Sequence, residues 1–195
     1  MPRAGLNPDR VVEEAIAVID ELGPGALSLA TLAERLGVKA PSLYNHGAGL
    51  DDLRRRVALA GIDGLADALR NAVMGRSGRD ALQHLAAAYR EFASMHPGLY
   101  PFTQQARPED AEYAARSMAA VEPLLAVLGG YGLAGDDAID AARAVRSAIH
   151  GFVALETGKG FGLSLDPDDS FAGLVAMLDS GLANRSVASR AATQS

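Results

Sequence analysis

Lys39, Ser42, Tyr44, Asn45 and His46 crowd one short stretch of the chain. Each carries a group that hydrogen-bonds readily to phosphate oxygens or base edges, and an amide such as Asn45 can pair with adenine. On residue type alone, Tyr44 also fits a partly buried core ring and His46 a helix C-terminal cap. No comparable cluster occurs elsewhere. The four histidines, at positions 46, 84, 96 and 150, sit on different predicted elements without metal-ligand spacing. Asp166, Asp168 and Asp169 lack the twelve-residue ligand pattern and terminal Glu of a calcium loop, and read better as a capped helix start. Gly158-Lys159-Gly160-Phe161-Gly162 lacks the ending of a phosphate loop and reads as a turn. His150 and Glu156 could serve a helical-bundle enzyme only in a polar cleft, which the scattered polar residues do not suggest. No catalytic residue, metal site or cofactor is therefore expected.

The elements around the cluster explain why it would be presented. Leu29 to Leu36 has helical apolar spacing after Ser28, a suitable N-cap, and Gly37 ends it. A second short helix starts near Ala40-Pro41 and runs to about His46. Two short helices crossing tightly need a small residue at the crossing (Ala33), a left-handed turn residue (Gly37) and an apolar anchor facing back (Leu43). Leu32, Leu36 and Val38 complete a small core. The same spacing fits an ordinary helical hairpin in a bundle, although the second helix is short for a core element.

The remaining chain is also helical. Asn7-Pro8 starts a first helix with Val12, Ala15, Ile16, Ile19 and Leu22 on one face, stopped by Gly23-Pro24-Gly25. Further helices are predicted from Leu50 to Met74, from Asp80 to about His96, and from Pro108 to Leu128. One or two helical turns fall within Leu99–Arg107. Asp136 to about Thr157 should turn Ile139, Ala142, Val145, Ile149, Phe152 and Val153 inward. A last helix starts at Asp168-Asp169-Ser170, and the small polar tail after Asn184 is expected to be disordered. The prediction is an all-α protein of about nine helices, without strands or repeats.

Bulk composition agrees. The 195 residues are 49% hydrophobic, 22% charged and only 5% aromatic, a mix that favours packed helices over sheets. Without cysteine there is neither a disulfide nor a thiolate metal site. No signal peptide or membrane span is read, so a cytoplasmic protein without membrane partners is expected. Net charge is −6, yet residues 1–60 hold seven Lys/Arg against eight Asp/Glu, and the remainder eleven against sixteen. The near-neutral N-terminal part leaves nucleic-acid binding open.

Leu29-Ala30-Thr31-Leu32-Ala33-Glu34-Arg35-Leu36-Gly37-Val38, followed by Ala40-Pro41-Ser42-Leu43-Tyr44-Asn45-His46, resembles the DNA-binding signature of the tetracycline-repressor (TetR) family of transcriptional regulators. The resemblance covers about residues 8–60, and its Leu-Tyr-x-His ending is the most diagnostic part. It implies that Ser42, Tyr44 and His46 contact phosphates, and that Lys39, Pro41 and Asn45 reach the major groove. Ala40 and Pro41 would meet a thymine methyl, and Ser28 and Thr31 join the DNA-contacting set. The chain departs from the pattern at Gly47, where an aromatic is usual, and at Leu50, where a phosphate-gripping lysine is common. Ala30 stands where some members place a base-reading arginine. Amides at the next helix start could replace the lysine, although Asp51 and Asp52 would oppose a phosphate there.

The resemblance implies a helix-turn-helix domain (1–49), a ligand-binding and dimerisation domain (50–184, with helix 50–74 as connecting lever) and a disordered tail (185–195). Ile149-His150-Gly151-Phe152 with Glu156 is similar to a subfamily marked by a Trp-His-Gly motif, with Ile149 in place of the tryptophan. In the family the last two long helices pair across a two-fold axis. The expected interface is Ala142, Val145, Ile149, Phe171, Leu174, Val175 and Leu178. An apolar pocket is expected from Leu69, Tyr89, Phe92, Met95, Tyr100, Phe102, Met118 and Phe152, each of which fits plain core packing equally well. The implied function is a homodimeric repressor on a palindromic double-stranded operator, released by a small, mostly apolar effector. The alternative is an architectural DNA-binding protein without an effector.

Overall fold

Asn7, Ser28 and a series of glycines set most of the helix borders. The computed structural model describes residues 7–44 and 49–193, except the side chains of Tyr44 and 186–193. Among the described residues there are nine α-helices and no strand. They are α1 (Pro8–Leu22), α2 (Leu29–Leu36), α3 (Ala40–Tyr44), α4 (Leu50–Val73), α5 (Gly78–Met95), α6 (Tyr100–Thr103), α7 (Ala111–Gly130), α8 (Gly135–Thr157) and α9 (Pro167–Thr193). A 3-10 turn, Pro24–Ala26, follows α1. No single described helix is long and apolar enough to cross a membrane.

Several expectations are corrected. The buried stripe of α1 is Val11, Ala15, Val18 and Ile19, and Leu22 is 55% exposed. Helix α7 starts at Ala111 rather than Pro108, because the Asp110 carboxylate accepts from the Tyr113 backbone N–H at 3.1 Å and caps the helix there. Ile139 is 46% exposed rather than inward. Helix α9 continues to Thr193, through the segment expected to be disordered. Ala183, Arg185, Ala188, Arg190 and Ala191 are good helix formers, and that propensity does not need an apolar stripe.

The chain divides into two compact units, Met1–Gly64 with Met95–Arg116, and Leu65–Ser94 with Ser117–Ser195. In the first, Asp20 near the end of α1 fastens the turn before α6. Its carboxylate accepts from the backbone N–H groups of Gly98 and Leu99, both at 2.9 Å, and lies 2.8 Å from His96 Nδ1. A Cβ on Gly98 would lie 1.9 Å from the Ile19 carbonyl oxygen, so the two backbones touch directly. At Gly61 of α4, a Cβ would meet the Leu99 and Thr103 side chains at 2.9 Å.

A charged network ties α4 to the start of α7 within this unit. Arg55 donates to Asp110 at 2.5 and 2.9 Å and to Glu112 at 2.7 Å, and Arg116 joins Glu112 (2.7 Å) and Asp63. The Arg55 guanidinium, aided by the Tyr113 N–H, holds the Asp110 carboxyl at about 2. A folded pKa below the ordinary carboxylate value means stability that is present above about pH 4 and lost as pH falls toward about 2. Asp110→Asn should therefore flatten the acid dependence of the urea midpoint between about pH 5 and 2, which an acid titration of both proteins checks. An unchanged slope would remove Asp110 from the acid transition.

In the second unit Leu82, Leu85, Leu128, Val145, Ile149 and Val153 are fully buried. Arg90 links three helices of that unit. It pairs bidentately with Glu156 of α8, reaches Asp168 of α9 at 2.7 Å, and lies over the Phe152 and Phe171 rings at 5.6 and 4.9 Å. Phe171 and Phe161 flank Phe152 at 5.0 and 4.9 Å. Arg90→Ala leaves Glu156 unpaired and removes the cation from both rings. A loss of roughly 2–3 kcal/mol in denaturant unfolding is expected.

Candidate nucleic-acid interface

The geometry begins at Ser28, whose Oγ accepts from the Thr31 backbone N–H at 3.1 Å and lies 2.8 Å from Thr31 Oγ1. This caps α2, so the two hydroxyls expected to contact DNA already share one bond. At the other end Gly37 adopts φ 66°, ψ 34°. Its N–H donates to the Glu34 carbonyl at 3.1 Å, and the Val38 N–H to Ala33 at 2.9 Å, a paired C-terminal closure that needs a left-handed residue. Nothing lies within 4 Å of a Cβ built on Gly37, so Gly37→Ala meets only backbone strain. It should cost about 1–2 kcal/mol in thermal unfolding, without loss of packing.

Leu27, Leu32, Ala33 and Leu43 are buried, whereas Leu36 and Val38, expected to complete the small core, are half-buried. Outside it, Lys39, just before α3, and Pro41 within it are exposed, and Ala40 and Ser42 are half-buried. The Ser42 backbone N–H donates to the Lys39 carbonyl at 2.8 Å, starting α3. Tyr44 is the last residue of α3; Asn45 and His46, with the expected end of the helix, lie outside the described residues.

Sequence reasoning missed the charges that brace this region. Arg35 of α2 donates to Glu14 and Glu21 of α1, both at 2.8 Å, and these carboxylates raise the guanidinium's already high pKa. On α4, Arg54 lies 3.6 Å from Asp51 and Arg56 2.9 Å from Asp52. The last two pairs carry a readable signal, three- and four-residue spacing on one helix. The Arg35 and Asp20 contacts join residues far apart in sequence and carry none.

The other candidate sets separate. Leu69, Tyr89 and Phe92 are buried in the second unit, with Phe152 half-buried there, whereas Tyr100 and Phe102 are buried in the first. Met95 and Met118 are 65% and 56% exposed and do not line an interior site. Met95 is the last residue of α5, and Met118 lies about 140° around α7 from buried Tyr113. Of the expected interface, Ala142, Val145, Ile149, Phe171 and Val175 are buried in the chain's own core, and Leu174 and Leu178 are half-buried. The exposed sides of α8 and α9 carry Ile139, Leu155 and Met177 instead, with small Ala144, Ser147 and Gly173. Among the described residues no group of His, Asp or Glu could hold a metal ion.

A capped helix, a left-handed glycine turn and a short helix preceded by exposed Lys39 form a helix-turn-helix, the reading head of a DNA-binding transcriptional regulator. Residues 82–178 match the family model of the tetracyclin repressor-like C-terminal domain. The HTH-type transcriptional regulator Rv0681 of Mycobacterium tuberculosis is 41% identical, across 93% of this chain and 84% of its own length. The fold is similar to that of a Rhodococcus sp. RHA1 protein of unknown function, with a TM-score of 0.80 at 22% identity, covering 94% and 99% of the two chains. It is also similar to the TetR family protein ActR of Streptomyces coelicolor, with a TM-score of 0.67 at 19% identity, covering 94% and 100%. The chain belongs to the TetR family of transcriptional regulators.

Proposed function

We propose that this regulator is a ligand-responsive repressor that binds a palindromic operator as a homodimer and leaves it when a small, mostly apolar effector binds. The observation that carries the DNA-binding part is α3 itself, packed inward through Leu43 while Lys39 and Pro41 face solvent. Two such helices related by a two-fold axis would enter successive major grooves about 34 Å apart. Lys39, Pro41 and Asn45 are assigned to base edges and Ser42, Tyr44 and His46 to phosphates. The cytoplasm, where the DNA lies, is the proposed location.

The two-fold contact is assigned to the exposed sides of α8 and α9, since their apolar stripes are already used within one chain. Met177→Glu, with Ile139→Glu, should convert the dimer to monomer in sedimentation; a dimer that persists would place the interface elsewhere. The effector site is assigned to the second unit around Leu69, Tyr89, Phe92 and Phe152, a mostly apolar set with a tyrosine hydroxyl. ActR, which shares the fold, was crystallised in complex with (S)-DNPA. An effector that prefers a conformation with mismatched α3 spacing would release DNA by population shift.

The deciding experiment is a mobility shift on the intergenic DNA beside the chain's own coding region, with a salt titration. Selective binding that Tyr44→Ala abolishes supports the reading; equal, weak binding to random fragments of the whole genome overturns it.

A further inference from the structure

The reading head carries its own counter-ions. Arg54 and Arg56 on the first turns of α4 face Asp51 and Asp52 at 3.6 and 2.9 Å. Arg35 is held by Glu14 and Glu21, and Arg55 by Asp110 and Glu112. Exposed Lys39, one residue before α3, has no carboxylate partner among the described residues. The Asp51 side chain is 99% and the Arg54 side chain 45% exposed, so their pairing contributes little to stability. Its physical effect is on local charge, which it brings close to zero.

That charge lies within reach of a duplex. Five residues separate α3 from α4, and at about 3.5 Å each they keep the first turn of α4 within roughly 20 Å of α3. With α3 in the major groove, phosphates flank it on both sides of a gap about 12 Å wide. A free guanidinium there would neutralise a phosphate on any sequence and release a counter-ion. A guanidinium already paired exchanges one anion for another and releases much less.

Resting on the operator-binding reading above, we infer that Asp51 and Asp52 set how strongly the reading head grips the phosphate backbone, by engaging Arg54 and Arg56 and cancelling their charge. They act as positioning residues through the two arginines. Because a phosphate contact carries no sequence information, the pairing lowers affinity and salt sensitivity on every duplex alike, while direct readout by α3 is untouched.

The test compares the full-length chain with Asp51→Asn/Asp52→Asn on two labelled probes, a random-sequence duplex and the duplex that the wild-type chain enriches from a random pool. The variant should bind the random duplex about tenfold more tightly at low salt, with a salt slope steeper by roughly 1–2 per subunit. Its affinity for the enriched duplex should rise by a similar factor, because the added contacts do not read sequence. Adding Arg54→Gln/Arg56→Gln to that variant should return random-duplex affinity and slope to wild-type values, because the gain comes from the two released guanidiniums and the four changes together leave the local charge as it was. An Asp51→Asn/Asp52→Asn variant whose slope equals wild type, or a fourfold variant that keeps the gain, overturns the inference while operator selection by the wild type stands. A wild-type chain that enriches no duplex removes the operator reading, and this inference with it.

Discussion

Gly98→Ala is expected to cost the first unit about 3 kcal/mol or more, at the upper end of what overpacking does. The added carbon would sit 1.9 Å from the Ile19 carbonyl oxygen and 2.2 Å from its carbon. Both are backbone atoms, so no rotamer change relieves the overlap. The end of α1 and the turn before α6 must move apart, and Asp20 then loses its bonds to the Gly98 and Leu99 N–H groups together. Urea unfolding, with Gly25→Ala as control, checks this; nothing lies within 4 Å of a Cβ at Gly25, and its φ is unexceptional. A Gly98→Ala protein within about 0.5 kcal/mol of wild type would mean that the close approach is not kept in solution.

Leu32→Ala is expected to have the next largest effect, about 3 kcal/mol within the 2–5 range of buried leucine truncations. Leu32 is fully buried on α2, the helix that packs on both α1 and α3. A cavity there loosens the support of α3, so operator binding should weaken beyond what the lost stability alone gives. Leu36→Ala, at a half-buried position on the same helix, should cost about 1 kcal/mol. Denaturation and mobility shift on both variants separate the two; equal costs would mean that Leu32 is no more central than Leu36.

The helices and the helix-turn-helix were legible because local physics places them. Asn7 and Ser28 cap, Gly37 turns left-handed, and Leu29, Leu32, Ala33 and Leu36 recur at helical spacing on α2. The start of α7 was misplaced because Pro108 and Asp110 are both acceptable beginnings, and only the Asp110–Tyr113 bond decides between them. The choice of face on α8 and α9 was harder. Hydrophobic periodicity finds one stripe per helix, and in both it is the stripe this chain buries by itself, through Val145, Ile149, Phe171 and Val175. A second face of small residues with a lone Met177 or Ile139 gives no such period. Asp20 on Gly98 and Arg90 on Glu156 are pairings across 78 and 66 residues, made by topology and invisible in any local window.

The aromatic cluster around Phe152 offers a further use. The chain contains no tryptophan, so its fluorescence comes only from five tyrosines. Phe161 lies at 40% exposure against Phe152, beside the ring that Arg90 covers. Phe161→Trp would make the sole indole of the molecule, readable on its own by selective excitation. Its emission colour would follow whether residues 158–166 rest on α8 or lift into water, giving an optical signal from the second unit while DNA and candidate effectors are titrated.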